Sequence, residues 1–113
     1  MGEIVVLITA ATEEEGQRIS KALVEEGAVA CVNILPGIKS IFRWKGKVTE
    51  EHEVLLIAKT VVNAFDRVAS IVRANHSYEV PEIISLPIQC GTPDYLSWVR
   101  AMTQDVATAG GQG

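Results

Sequence analysis

Between Ile38 and Thr60 the chain reads as two long extended arms about a two-residue turn, Lys45-Gly46. A compact globule of 113 residues has a radius of gyration near ~13 Å, so it is roughly 35 Å across. The arm Val48 to Thr60, at about 3.3 Å per residue, spans roughly 40 Å, whereas ordinary strands hold about five or six residues. Such a hairpin overhangs its own sheet. It leaves backbone amides unpaired and exposes Ile41, Phe42 and Trp44, and edges of that kind find partners. Another copy of the same chain is the simplest one. The alternative is a bulge that folds the hairpin back onto its own domain.

The remaining elements arrange themselves around that hairpin. Ile4-Val5-Val6-Leu7-Ile8 is an unbroken aliphatic run, the signature of a central strand, and the pattern extends it over Glu3 to Thr9. Thr12 with Glu15 three residues on is a capping box, and Glu13 and Glu14 suit the positive start of a helix. Ile19, Ala22 and Leu23 share its apolar face, and Gly27 ends it in a left-handed conformation. Val29 to Leu35 is the second strand, with Ala30, Val32 and Ile34 facing one way and Cys31, Asn33 and Leu35 the other. Pro36-Gly37 interrupts it with a bend or bulge before Ile38 to Trp44 resumes extended structure. After the returning arm, Asn63 is placed to cap a helix whose Phe65, Val68, Ala69 and Val72 keep the spacing of a buried face. Ile83 to Cys90 is the last strand, with Pro87 marking an edge or a bulge. Thr92-Pro93-Asp94 starts a terminal helix. Its apolar face holds Tyr95, Trp98, Val99, Met102 and Val106, with Tyr95 and Trp98 as core aromatics.

The order β, α, β, β, α, β predicts an α+β fold. It is a ferredoxin-like βαββαβ sandwich with an extended central hairpin and an additional C-terminal helix. Right-handed crossovers put both main helices on one sheet face. No repeat or linker divides the chain, so residues 1–106 form one domain and 107–113 a flexible tail.

Charge and cysteine content narrow the function. The formal net charge is −4, and the ten Lys and Arg are scattered apart from Lys39, Arg43, Lys45 and Lys47, which solvate the hairpin. A nucleic-acid partner needs a basic face that this chain lacks. No apolar run reaches the ~20 residues that span a bilayer. No secretory signal precedes the first strand, so the chain is expected in the reducing cytoplasm with Cys31 and Cys90 as thiols. It has no phosphate loop, no HExxH and no nucleophile elbow, and no catalysed reaction is expected.

A set of short motifs then carries a resemblance. Ala30-Cys31-Val32-Asn33-Ile34, Pro36-Gly37, Ser40, Trp44-Lys45-Gly46, Lys59-Thr60, His76-Ser77-Tyr78-Glu79-Val80-Pro81-Glu82 and Tyr95-Leu96-Ser97-Trp98 stand in an order and spacing that resembles the CutA divalent-cation tolerance family. The resemblance runs from about Ile4 to Met102. It implies a cytoplasmic homotrimer whose hairpins exchange between neighbours, similar to PII-type signalling trimers that bind small effectors between subunits. It also implies a link to tolerance of divalent cations, copper above all. Family members that resemble copper binders carry a cysteine where this chain has Ile8, and two histidines where it has Asn75-His76. An aliphatic side chain cannot ligate copper.

The candidate ligand-binding residues are therefore Asn33, Trp44, Glu53, Lys59, Tyr78 and Glu82. The expected cleft sets the Lys59 ammonium near Glu53 or Glu82 between aromatic walls from Trp44 and Tyr78, and suits an anion or a small polar molecule. An ion pair at a subunit seam accounts for the same charges. The candidate metal ligands are His76 and Cys31, for Cu2+ or another divalent cation. His76 is equally a residue that suits a helix C-terminus, and Cys31 a small buried apolar side chain. His52, among Glu50, Glu51 and Glu53, reads as a solvated edge residue. The function that follows is a trimeric binding or signalling protein. An enzyme of the same cleft, using Cys31, Lys59, Glu82 or Tyr78, and a structural scaffold are the alternatives.

Overall fold

The computed structural model describes residues 2–103. Val106 and the expected tail lie outside the described residues. The elements in chain order are β1 (Glu3–Ala10), α1 (Glu13–Glu25), β2 (Cys31–Trp44), β3 (Lys47–Val61), a 3₁₀ turn (Val62–Ala64), α2 (Phe65–Asn75), β4 (Ile83–Pro87) and α3 (Pro93–Met102). The four strands form one antiparallel sheet in the order β2-β3-β1-β4. This is the ferredoxin-like arrangement the element order predicts, with β1 central.

Strand alternation gives the sheet two unlike faces. Ile4, Val6, Ile8 and Ala10 of β1, with Val54, Leu56 and Ala58 of β3, point to one face and are buried. Helices α1 and α2 cover that face with Ile19, Leu23, Val68 and Val72. Gly16 lets α1 come close: a Cβ built there would stand 3.2 Å from Leu56 Cδ2. The two helices run antiparallel and cap one another. The Arg67 guanidinium donates to the Glu26 carbonyl at the end of α1, and that of Arg18 to the Asn75 carbonyl at the end of α2.

Helix termini follow local chemistry with three departures, one of them Thr92, which precedes α3 without a side-chain cap. Thr12 accepts the Glu15 amide, as expected, but the Glu15 carboxylate takes the Ala11 amide rather than that of Thr12. Gly27, at φ 69°, closes α1 with Ala28 N–H donating to the Leu23 carbonyl, a Schellman stop. Asn63 does not cap α2: the 3₁₀ turn intervenes, and Ala64 precedes the helix with no side-chain cap.

The hairpin is extended rather than folded back. β2 and β3 hold 14 and 15 residues, and the molecule measures 49 × 31 × 22 Å. The tip is a type I′ turn, with Lys45 at φ 50° and Gly46 at φ 80°. A bulge does occur between Leu35 and Ile38, with Gly37 at φ 78°. It inserts one extra residue in β2, and pairing continues from Ile38↔Glu53 to Trp44↔Lys47. The bulge alters the register without reversing the arm.

The second face of the sheet is only partly covered. Helix α3 lies over one end of it, fixed by the Arg100 guanidinium on the Glu3 carboxylate at 2.8 Å. That bond holds the Glu3 carboxyl below its ordinary pKa. Val99 is buried, but Tyr95, Trp98 and Met102 are exposed. The expectation that Tyr95 and Trp98 are core aromatics fails within one chain, because a ten-residue helix shields little more than its own central turn. Leu35, Ile84 and Leu86 on the same face are exposed as well.

Candidate functional site

A cleft of about 820 Å³ opens where the arm, from Glu53 out to Trp44, faces the segment between α2 and β4. The register explains which side chains line it. Beyond the bulge, Ser40↔Glu51, Phe42↔Thr49 and Trp44↔Lys47 are facing pairs, so period-2 alternation puts Ser40, Phe42 and Trp44 on the same side as Thr49, Glu51 and Glu53. All but Lys47 line the cleft. Residues 76–82 close it from across the end of β1, contributing Ser77, Tyr78, Glu79 and Glu82.

Hydrogen bonds hold that segment in place. Beyond Ile8, β1 has no β4 partner, and His76 occupies the vacated edge. Its Nε2 meets the Thr9 carbonyl at 2.7 Å, and its Nδ1 accepts the Tyr78 amide at 3.0 Å. Both contacts are satisfied by the tautomer with its proton on Nε2. Glu15 anchors the next residue, its Oε2 accepting the Ser77 amide at 2.7 Å. Burial pushes the Glu15 carboxyl upward in pKa, but the Ala11 and Ser77 amides outweigh it and hold it below its ordinary value. The Tyr78 hydroxyl then donates to Glu53 Oε2 at 2.6 Å. Burial and that carboxylate together push the Tyr78 phenol well above its ordinary pKa.

The sequence-expected residues thus divide into two groups. Trp44, Glu53, Tyr78 and Glu82 all line the cleft, with Trp44 at its far end, next to the turn of the hairpin. Lys59 and Asn33 do not. Lys59 lies six residues from Glu53 along β3, on the order of 20 Å, and its ammonium donates to Asn33 Oδ1. The expected approach of Lys59 to Glu53 or Glu82 is absent within the chain, because the strand that carries both Lys59 and Glu53 is straight enough to hold them apart. Removing Lys59 reverses the expected charge. Among the described residues, the fourteen that line the cleft include four glutamates and no Lys, Arg or His.

Cys31 belongs with Lys59. It faces Lys59 across the ladder, and its Sγ lies 3.6 Å from the Tyr95 hydroxyl. That contact, with burial behind it, raises the Tyr95 phenol above its ordinary pKa. Cys31 is partly exposed rather than a core residue. His76 sits at the opposite end of β1 from the Cys31 end of the sheet, by Thr9, and its two nitrogens are engaged as described. The two candidate metal ligands therefore build no common site, and Ile8, wholly buried in the core, adds no donor. Among the described residues no three His, Cys, Asp or Glu side chains converge as metal ligands within one chain. The residues present do not fit a copper site at Cys31 and His76.

Sequence reasoning missed Glu15, Glu51, Thr9 and Ser77. Counting by twos outward from Lys45-Gly46 would have paired Glu51 with Ser40 and set it beside Glu53 on one face. No sequence signal marks Glu15 as the anchor of residues 76–82, since its spacing to Thr12 is already explained by the capping box.

The fold and cleft together define a ferredoxin-like chain with an overlong hairpin that forms one wall of a ligand-sized pocket. Comparison with known proteins narrows this class. Residues 4–102 match the family described as CutA1 divalent ion tolerance protein. The divalent-cation tolerance protein CutA of Thermus thermophilus is 52% identical over 101 residues, 89% of this chain and 98% of that one. Its solved structure aligns with a TM-score of 0.89 over 90% of this chain and 99% of that one. The chloroplastic CutA 1 of Oryza sativa is 44% identical over 102 residues, 90% of this chain but 58% of the longer rice protein. The crystal structure of rice CutA1 gives a TM-score of 0.90 at 43% identity, covering 93% and 96% of the two chains. A periplasmic divalent cation tolerance protein CutA from Archaeoglobus fulgidus gives 0.87 at 40% identity, covering 90% and 99%. The chain belongs to the CutA divalent ion tolerance family.

Proposed function

We propose that the chain is one subunit of a cytoplasmic homotrimer, PII-like in design, that binds a small ligand at clefts completed between subunits and so contributes to divalent-cation tolerance. The observation that carries this reading is the arm. It draws the subunit out to 49 Å while Ile41, Phe42, Trp44 and Val48 remain exposed along it. A soluble chain gains by covering such a ribbon, and the half-open sheet face beside α3 is an apolar surface of the kind a neighbouring arm covers. Family membership supports the link to divalent cations. Free cysteines, Cys31 partly exposed and Cys90 exposed, suit a reducing compartment.

The reading is of a binder, not an enzyme. The reactive groups an enzyme would recruit stand apart, Cys31 and Lys59 at one end of the sheet and Tyr78 and Glu82 at the other. Copper tolerance is read as a consequence of ligand binding in the assembled protein, since Cys31 and His76 do not make a copper site.

Native mass spectrometry of protein purified without chelators tests the assembly. The expected species is three copies of the 12.2 kDa chain. A folded single chain at micromolar concentration would overturn the reading. Thermal unfolding with copper, zinc and a panel of small metabolites tests the binding. A ligand present at a hundred times its dissociation constant stabilises each site by about 2.7 kcal/mol, and a flat response across the panel counts against the proposal.

A further inference from the structure

The cleft along the arm has a composition that selects its ligand, an inference that rests on the reading of that cleft as a binding site. Its charge is of one sign: Glu51, Glu53, Glu79 and Glu82 line it, and no basic side chain among the described residues does. Glu53 is 7% exposed, and a carboxylate so enclosed is stabilised by a positive charge brought to it. Tyr78 occupies Oε2 of Glu53, while Oε1 has no partner among the described residues. Three aromatic side chains, Phe42, Trp44 and Tyr78, form the walls. An aromatic face attracts a cation that also carries apolar surface, and indole does so best. Trp44 already takes the Lys45 ammonium 6.0 Å from its ring centroid. The volume, about 820 Å³, suits an organic molecule rather than a bare ion. The four glutamates are also spread around the cleft and do not converge as metal donors within one chain.

We infer that the cleft between the arm and residues 76–82 binds a protonated aliphatic amine, a ligand with two or more ammonium groups on an apolar chain. One ammonium meets the open oxygen of Glu53, a second reaches Glu51, Glu79 or Glu82, and the methylenes lie against Tyr78 and Phe42. The class is opposite in charge to the anion that a cleft containing Lys59 would accept.

Equilibrium dialysis of the full-length assembled protein against labelled spermidine tests this, with sulfate as the anionic probe and magnesium as the bare divalent cation. Sedimentation velocity on the same samples reports the subunit number. The expected result is saturable spermidine binding, one per cleft, that sulfate does not displace and that weakens as salt is raised. Glu53→Gln should weaken it about tenfold. Glu51→Gln, at an exposed strand position that cannot disturb the core, should weaken it about threefold and serves where the first variant fails to fold. Glu25→Gln on α1, away from the cleft, should leave it unchanged. Intact trimers that bind no spermidine, prefer sulfate or magnesium, or bind spermidine equally well after both cleft substitutions would overturn the inference while leaving the assembly standing. Single chains in the sedimentation run would instead overturn the assembly. A fall in subunit number caused by Glu51→Gln would show that a neighbour's own cationic side chain fills the cleft, and would also overturn the inference.

Discussion

The two faces of the sheet are built from the same kinds of residue and end in different states. On one, Val6, Ile8, Leu56 and Ala58 are wholly buried under α1 and α2. On the other, Val5, Leu7, Leu55 and Ile57 are half-buried, and Ile84 and Leu86 are exposed. An apolar run such as Val54-Leu55-Leu56-Ile57-Ala58 is what a strand covered on both sides looks like. One chain supplies cover for one side. The difference locates where the chain's own core ends and where the proposed neighbour begins. It also explains why the aromatic residues of α3 are exposed: that helix has too little of the open face to itself.

Substitution tests this contrast most strongly in the closed face. Leu56→Ala removes a wholly buried side chain from the centre of the core, and should cost about 2–5 kcal/mol in urea unfolding. Leu86→Ala on the open face should change the intrinsic stability of a single chain by no more than about 0.5 kcal/mol, as exposed positions do. Its effect should appear instead as an unfolding midpoint lowered most at low protein concentration and recovered as concentration rises, because weakening the proposed interface shifts stability by mass action. Equal losses at the two positions, independent of concentration, would erase the distinction between the faces.

A second contrast lies along β3, between its Lys59 end and its Glu53 end. Glu15→Gln probes the latter. It deletes the charge that receives the Ala11 and Ser77 amides, and should cost about 1–3 kcal/mol. The sign of its pH dependence follows from the direction of the shift. The folded carboxyl titrates below its ordinary value, near 4.5, so its contribution is present above that pH and is lost as pH falls through the folded value. The variant should therefore show a shallower loss of stability on acidification than the parent, measured by urea unfolding from pH 6 downward. An unchanged acid slope would mean the carboxylate does not hold residues 76–82.

The fold was legible because its signals are local. Aliphatic runs, Gly27, the Lys45-Gly46 turn and Pro93 each speak for their own segment, and the length of the arms alone gave the overhang. Half of the candidate site was legible for the same reason: Trp44, Glu53, Tyr78 and Glu82 fall on the arm and on the irregular segment that faces it. What failed was non-local. Lys59 sits in a suggestive motif, but only the register fixes its distance from Glu53, and six residues of straight strand separate them. His76 had the chemistry of a ligand, and only the fold reveals that Thr9 and Tyr78 use both its nitrogens. Tyr95 and Trp98 had the spacing of core residues in a helix whose covering surface is not supplied by its own chain.

The smallest effect bears on the lip of the cleft. Tyr78→Phe removes the hydroxyl that Glu53 accepts, and should cost about 0.5–1.5 kcal/mol. The chain has two tyrosines, and both phenols are raised above the ordinary value of 10.0. A group that stays protonated longer in the folded state stabilises that state below the unfolded pKa, and the contribution fades as pH climbs through 10 toward the folded value. Tyrosinate absorbance near 295 nm should therefore stay low through about pH 10 in the native protein and rise only at higher pH or on unfolding. Tyr78→Phe should remove the later-titrating of the two components, since the burial and carboxylate contact at Tyr78 push harder than the Cys31 contact at Tyr95. A native protein in which one tyrosine ionises normally near pH 10, and in which Tyr78→Phe abolishes that signal, would mean the Tyr78–Glu53 bond does not close the cleft.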